Sequence, residues 1–251
     1  MNTPKSIIYG LHAVTALLQK HPERIQQLCV AQERQDKKLE NILKDAKSQR
    51  VAVRQVSRQE LDQITENANH QGVAAYCESA SALDESALKS LLESLNEPPF
   101  LLILDGVQDP HNLGACFRSA DAAGVHAIIA PKDKSVGLTA TVSKVASGAV
   151  ETVPFVQVTN LARTIDMLKA AGIWIFGAAG EAQQTLYETE LSGPIAIVLG
   201  AEGAGMRRLT REHCDVLVKI PMFGSVSSLN VSVATGIFLF EAVRQRIGKG
   251  L

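Results

Sequence analysis

The chain has 251 residues, 46% of them hydrophobic and 20% charged, with a formal net charge of −1. That length holds one large domain or two modest ones, and that hydrophobic content excludes wholesale disorder. Near-balanced charge excludes a basic nucleic-acid arm or an acidic tail, and 4% aromatics excludes extensive stacking of bases on aromatic platforms.

The opening stretch MNTPKSIIYGLHAV has no long apolar region and no cleavage-like site. No apolar run approaches the roughly 20 residues that span a bilayer. The expectation is a cytoplasmic protein without a membrane partner. Residues 1–76 then alternate in type. Apolar spacing at Leu11, Val14, Leu17 and Leu18 predicts a helix over 10–20. Ile25–Val30 reads as a strand, and Asp36–Gln49 as a helix with Leu39, Ile42 and Leu43 on one side. Val51–Val56 alternates apolar and polar, and Gly72–Cys77 reads as the last strand of a small α/β/α sandwich. Its cations Arg34, Lys37, Lys38, Arg54 and Arg58 gather in and beside loops. They are either a solvated face or a phosphate-contacting surface.

Charge then changes sign. Residues 1–76 carry 11 Lys+Arg against 8 Asp+Glu, whereas residues 77–99 carry 1 against 5. The middle piece is Ser-rich and ends in Pro98-Pro99, which reads as a linker with a short helix around Leu88–Leu95. Residues 100–251 carry 13 of each sign. Here strands are predicted at Phe100–Asp105, Ala127–Ala130, Val153–Val158, Ile173–Gly177, Ile195–Leu199 and Val216–Ile220. Helices are predicted at Leu113–Ala123, Ala140–Gly148, Leu161–Ala171, Met206–His213 and Leu229–Arg246. Short apolar runs separated by helices make a buried parallel sheet covered on both faces. Ligands of such sheets sit beyond the carboxyl ends of the strands, so function is sought at the strand exits.

Three exits are rich in glycine and polar residues. After strand 100–105, Asn112 can cap the next helix, and Arg118 falls off its buried stripe of Leu113, Cys116, Phe117 and Ala120. A helix start followed by an arginine suits a phosphate; a plain cap and a surface arginine read equally well. After strand 195–199 comes LGAEGAGM, whose glycines let backbone approach a ligand, with Glu202 the only acid. Its order is neither the dinucleotide fingerprint nor a phosphate loop. After strand 216–220, Ser227 or Ser228 can cap a last helix that is apolar nearly all round and so reads as buried, leaving Asn230 and Ser232 to find partners. A fourth exit, GAAGEAQ at 177–183, adds more main-chain rim. Such a pocket suits an adenosine-bearing ligand better than hydrolysis, and Gly224-Ser225 is not a nucleophile elbow. The four cysteines are scattered without a CxxC and the six histidines lack metal spacing, so neither a metal nor a disulfide is expected.

Taken together, Asn112-Leu113-Gly114-Ala115 through Arg118-Ser119-Ala120, Leu199-Gly200-Ala201-Glu202-Gly203, and Ile220-Pro221-Met222 with Ser227-Ser228-Leu229-Asn230-Val231-Ser232 resemble the three motifs of the SpoU (TrmH) branch of the SPOUT RNA methyltransferases. Tyr9-Gly10-Leu11-His12-Ala13-Val14 and His70-Gln71-Gly72 extend the likeness to nearly the whole chain. The resemblance implies an α/β catalytic domain over 100–251, with a parallel sheet, helices on both faces and a deep trefoil knot. It implies an RNA-recognition domain like L30e and L7Ae over 1–76, joined by the linker 77–99. It implies a homodimer through the catalytic domain that uses S-adenosylmethionine and no metal. The implied substrate is a guanosine ribose in the peptidyl-transferase P loop of 23S ribosomal RNA. Backbone at Gly200, Ile220 and Leu229 would carry the donor, with Ala178, Ala179, Gly180 and Met222 lining its pocket. Arg118 would meet the RNA phosphate and the attacking hydroxyl, and Asn112 would hold the ribose or Arg118. Glu202 and Asn230 would shape the pocket, with Ser228 helping through its hydroxyl or a helix cap. His12, Arg34, Lys37 and His70 are the candidate RNA contacts of the first domain. A methylase of the same family acting on transfer RNA, and an RNA-binding assembly factor without essential turnover, are the competing readings. The two-domain reading also predicts that the chain without residues 1–76 still folds, dimerises and binds donor, but modifies rRNA poorly.

Overall fold

A computed structural model describes residues 5–32 and 37–250. The chain forms two compact units, Met1–Ser81 with Ala140–Thr152, and Ala82–Thr139 with Val153–Leu251. The first contains β1 (Lys5–Tyr9), α1 (Leu11–Lys20), β2 (Ile25–Ala31), α2 (Lys37–Ser48), β3 (Val53–Val56), α3 (Arg58–Ile64) and β4 (Val73–Glu78). Its sheet runs β1-β4-β2-β3, with β2 and β3 parallel and the other pairs antiparallel. Alternation along the strands decides the layers. Leu28, Val30, Val73, Ala75 and Cys77 pack with Val14 and Leu17 of α1 and Leu39 and Ile42 of α2. Cys29, Ala31 and Ala74 turn the other way and meet Val56 and Leu61. β1 and α3 are absent from the sequence reading. Seven residues with two apolar positions show no period, and the start of α3 is set instead by Ser57, whose Oγ accepts from the Glu60 N–H at 3.2 Å.

The second unit contains α4 (Glu85–Ser94), β5 (Phe100–Asp105), α5 (Pro110–Ala123), β6 (Ala127–Pro131), β7 (Phe155–Val158), α7 (Leu161–Ala170), β8 (Trp174–Ala178), β9 (Gln184–Thr185), β10 (Ile195–Gly200), α8 (Arg208–His213), β11 (Val216–Lys219) and α9 (Val231–Gly248), α6 (Ala140–Ala146) belonging to the first. The sheet order is β7-β6-β5-β10-β8-β11-β9, and every ladder is parallel. The carboxyl ends of β5, β10, β8 and β11 therefore lie side by side. One face packs Leu101, Ile103, Ile129, Val156 and Val198 against Leu88 of α4 and Leu161, Ile165 and Leu168 of α7. The intervening Leu102, Leu104, Ile128 and Ile197 are also buried, α9 lies along β10, and α5 packs on α9.

Three features differ from the sequence reading. Residues 82–99 are not a free linker. Leu83 extends β7 as a parallel bridge beside Val156, Asp84 caps α4 by accepting from the Ala87 N–H at 2.9 Å, and Leu88 is fully buried. Helix α6 and the turn after it belong to the first unit, although the sequence places them among the elements of the second. Gly148, at φ 97°, lies where a Cβ would stand 2.6 Å from Ala13 Cα. Buried Glu151 accepts from Arg24 Nη1 at 2.5 Å, while the same guanidinium donates from Nε and Nη2 to the Glu78 carbonyl at 3.1 and 2.8 Å. Finally, α9 is not buried all round: Val233, Phe240 and Ile247 repeat every seven residues and are 51%, 49% and 70% exposed. Among the described residues no helix is long and apolar enough to cross a membrane.

Candidate functional site

The first exit is organised by Asp109, not by Asn112. Asp109 caps α5 by accepting from the His111 N–H at 3.0 Å, with Pro110 pre-set at the first helical position. Asn112 thus sits inside the first turn with its side-chain amide free for other partners. The cap expected at Ser227 or Ser228 likewise falls on Asn230, whose Oδ1 accepts from the Ser232 N–H at 2.9 Å and from its hydroxyl at 2.6 Å. A backbone N–H can only donate, so this bond fixes the orientation of the Asn230 amide. Nδ2 is left to donate to Asn112 Oδ1 at 3.0 Å, and Asn112 Nδ2 in turn donates to Glu202 Oε2 at 3.4 Å. Polarity is handed from a helix cap through two amides to a carboxylate. Three strand exits, separated by up to 118 residues, meet in this chain.

The second exit is a closed loop. Gly200 is in register with Asp105, and Ala201 and Gly205 exchange both backbone bonds at 3.1 and 2.9 Å. Chain from Gly205 passes over Gly200 so closely that a Cβ there would lie 2.0 Å from the Gly205 carbonyl carbon. Only glycine fits. Fully buried Asp105 then fastens the loop's far end, accepting from the Arg207 N–H at 2.8 Å and from Arg207 Nε at 2.6 Å. Asp105 and Arg207 are missing from the sequence reading. The available signal was a single carboxylate closing the apolar run FLLIL.

The third and fourth exits leave neighbouring strands. Ala178 is in register with Val218, and the Ala179 N–H donates to the Val218 carbonyl at 3.0 Å. Ala178–Gly180 and Ile220 thus come off side by side. Met222 and Leu229 lie on the segment that follows, where Phe223 is 96% exposed. The rim near the Asn112–Glu202–Asn230 chain is therefore mostly main chain. Arg118 is exposed on α5 and, among the described residues, has no ion pair or hydrogen bond. Ser228 is exposed and also stands outside the network. Burial pushes the Cys116 thiol up to about 11 and the Cys214 thiol to about 12, so both stay protonated and unreactive.

In the first unit, the two elements singled out in sequence meet. Gly10 N–H donates to the Val73 carbonyl at 3.1 Å, and Leu11 N–H to Gln71 Oε1 at 3.1 Å. His12 is exposed in the first turn of α1 and Lys37 at the start of α2, while Arg34 lies outside the described residues. His70 is not a surface group. It is 5% exposed, its Nδ1 accepts from the Gly72 N–H at 3.0 Å, and its Nε2 donates to Asp62 Oδ1 at 3.0 Å. Both ring nitrogens hold the turn together.

Comparison with known proteins finds relatives along nearly the whole chain. A profile described as the SpoU rRNA Methylase family matches residues 99–240, and one described as RNA 2'-O ribose methyltransferase substrate binding matches residues 7–83. The 23S rRNA (guanosine-2'-O-)-methyltransferase RlmB of Escherichia coli (strain K12) is 59% identical over 240 residues, covering 96% of this chain and 98% of that protein. Its counterpart of the same name from Pectobacterium atrosepticum is 57% identical over 242 residues, covering 96% and 99%. An AdoMet-bound rRNA methyltransferase from Sinorhizobium meliloti superposes with a TM-score of 0.75 at 26% identity, over 96% of this chain and 87% of that one. With its three motifs joined at the strand exits and more than half its length matched by the profile, the chain belongs to the SpoU rRNA methylase family.

Proposed function

We propose that this protein transfers a methyl group from S-adenosylmethionine to the ribose 2'-hydroxyl of a guanosine in 23S rRNA, within the peptidyl-transferase P loop. The observation that carries this reading is the hydrogen-bonded chain Asn230–Asn112–Glu202 beside a rim of backbone. Relatives that bear the name 23S rRNA (guanosine-2'-O-)-methyltransferase over nearly their full length support the substrate. The rim fits a nucleoside-bearing donor because it is mostly main chain: Gly200 carries no Cβ, so Gly205 can cross it closely, and nothing stands within 4 Å of where a Gly180 Cβ would lie. Gly200, Ile220 and Leu229 would hold it through main chain, with Ala178, Ala179, Gly180 and Met222 lining the pocket.

When bound, the donor supplies a methyl on a cationic sulfur, so its departure needs no metal. What the protein must provide is orientation and help for a weakly acidic hydroxyl. Arg118, exposed and without a side-chain partner among the described residues, supplies a positive charge for the RNA phosphate and for negative charge developing on the attacking oxygen. A guanidinium does not accept a proton at neutral pH, so Arg118 acts as electrostatic activator; as the O–CH3 bond forms and the S–CH3 bond breaks, the hydroxyl proton passes to solvent and the donor leaves as a neutral thioether. Asn112 positions the ribose, Glu202 and Asn230 shape the pocket, and Ser228 on the exposed segment meets the substrate. The first unit recognises RNA as an L30e-like and L7Ae-like domain, with His12, Lys37 and Arg34 as its proposed contacts; the profile over 7–83 supports that role. The catalytic domain carries a deep trefoil knot and forms a homodimer, for which the apolar stripe Val233, Phe240 and Ile247 supplies a face. The protein works in the cytoplasm, where its RNA is assembled.

The test is transfer of a labelled methyl group to unmodified 23S rRNA, with alkali-resistant linkages mapped. One labelled P-loop guanosine is the expected result. Label in transfer RNA instead keeps the chemistry and removes the substrate. Donor binding without label in either RNA replaces the enzyme by an assembly factor.

A further inference from the structure

We infer that Asp105 and Arg207 are positioning residues that set the glycine loop 200–206, an inference that rests on the proposed methyl transfer at this loop. A carboxylate with no exposed surface at the end of an otherwise apolar central strand persists only if it is fully paired. Asp105 is paired, and by one residue. Arg207 offers its backbone N–H at 2.8 Å, Nε at 2.6 Å and Nη2 at 2.5 Å. Arg207 is also the residue at which the glycine loop ends.

Both limbs of the loop are thus referenced to one side chain's residue. Gly200 is tied to Asp105 by strand register, and Arg207 by the carboxylate. Between them the loop closes on itself through Ala201 and Gly205, and at its tip the Ala204 N–H donates to the Glu202 carbonyl at 2.9 Å. Its tip carries Glu202, which reaches Asn112 at 3.4 Å. A shift of Arg207 therefore moves both the backbone proposed for the donor and the carboxylate end of the site network. The planar guanidinium fork matters here, because an ammonium is a point charge that cannot reproduce the two side-chain bonds in one plane.

The experiment uses the full chain, with donor affinity measured by calorimetry using S-adenosylmethionine alone, and KM measured separately for donor and RNA. Asp105→Asn faces the Arg207 donors with an amide; the donor Kd and KM are expected to rise about tenfold or more, while the RNA KM changes less than about twofold. Hydrogen exchange is expected to speed up at the amides of residues 201–207 and not in the first unit. Arg207→Met keeps the backbone bond and is expected to give a smaller rise of the same kind; it carries the test if Asp105→Asn does not fold. Folded variants that bind donor within about twofold of the parent overturn the inference, whatever their melting temperature. A parent chain that binds no donor removes the methyl-transfer reading itself, which is a separate and distinguishable failure.

Discussion

Asn230 uses the two ends of one amide for different purposes: Oδ1 caps α9 and Nδ2 holds Asn112. Asn230→Asp keeps the cap but sets an acceptor against Asn112 Oδ1. The Asn112 amide can relieve that only by turning over, which points its oxygen at Glu202. Methyl transfer is therefore expected to fall about tenfold or more, with stability within about 1 kcal/mol of the parent. Steady-state kinetics and urea melts check both halves. Among the described residues the Arg118 side chain has no partner to lose, so Arg118→Ala is expected to leave stability and donor affinity unchanged while lowering kcat by about a hundredfold, the scale seen when one transition-state charge contact is removed. Loss of donor binding in that variant would make Arg118 a pocket residue. At this scale the sequence is half legible. Asn112 and Asn230 stand out as amides at helix starts, but Ser, Thr, Asp and Asn all cap helices. Asp109 and Asn230 took the caps that Asn112 and Ser227 or Ser228 could equally have held. Only the tertiary fold brings Asn112 under Asn230.

Elements were legible in proportion to how much apolar surface each buries. β5 spans the residues its apolar run predicts, and the other strands of the parallel sheet except β9 lie within two residues of their expected ends, because strands buried on both faces are continuous apolar runs. β1, α3 and β9 escaped notice because each is short or thinly apolar, and their place is set by neighbours. The acidic stretch after residue 77 shows the converse. Its composition reads as linker, yet Asp84 starts α4 and Leu88 carries it into the core. Leu88→Ala is expected to destabilise the second unit by about 3 kcal/mol, a cavity-scale loss that a true linker would not show. Thermal melts of the full chain report it directly.

For the whole molecule, the sequence boundary at residue 76 does not match the physical one. Removing residues 1–76 strips α6 and its turn of their packing and leaves Glu151 without Arg24. The fragment 77–251 then carries residues 140–152 as an unpacked insertion, and is expected to be less stable than the second unit within the full chain by about 2 kcal/mol, the entropy of holding such a loop closed. Fragment and parent can be compared by following the single tryptophan, Trp174, in urea. An unchanged midpoint would restore the simple two-domain picture. Stability also depends on pH from both sides. Burial raises the thiols of Cys77 and Cys116 to about 11 and Cys214 to about 12, against 9.0 when unfolded. A raised pKa stabilises below the unfolded value, so stability is expected to fall as pH rises above 9.0. Glu85, held by the Thr159 N–H and Arg163, and Glu241, held by Arg244 and Gln245, titrate below the ordinary 4.5. Their contribution is full above 4.5 and is lost as pH falls through the lowered values. Urea midpoints across the pH range should form a plateau with both shoulders.

The return of residues 140–152 to the first unit also sets a timetable for synthesis. Arg24 waits for a partner 127 positions further along the chain. At about 5–20 residues per second on the ribosome, that wait is about 6–25 s. Until then the surface of α1 at Ala13 stays uncovered, although every strand of its sheet has already emerged. The half of the protein that is translated first is finished only after β5 and β6 of the other half have been made, so the two halves mature together and not one after the other.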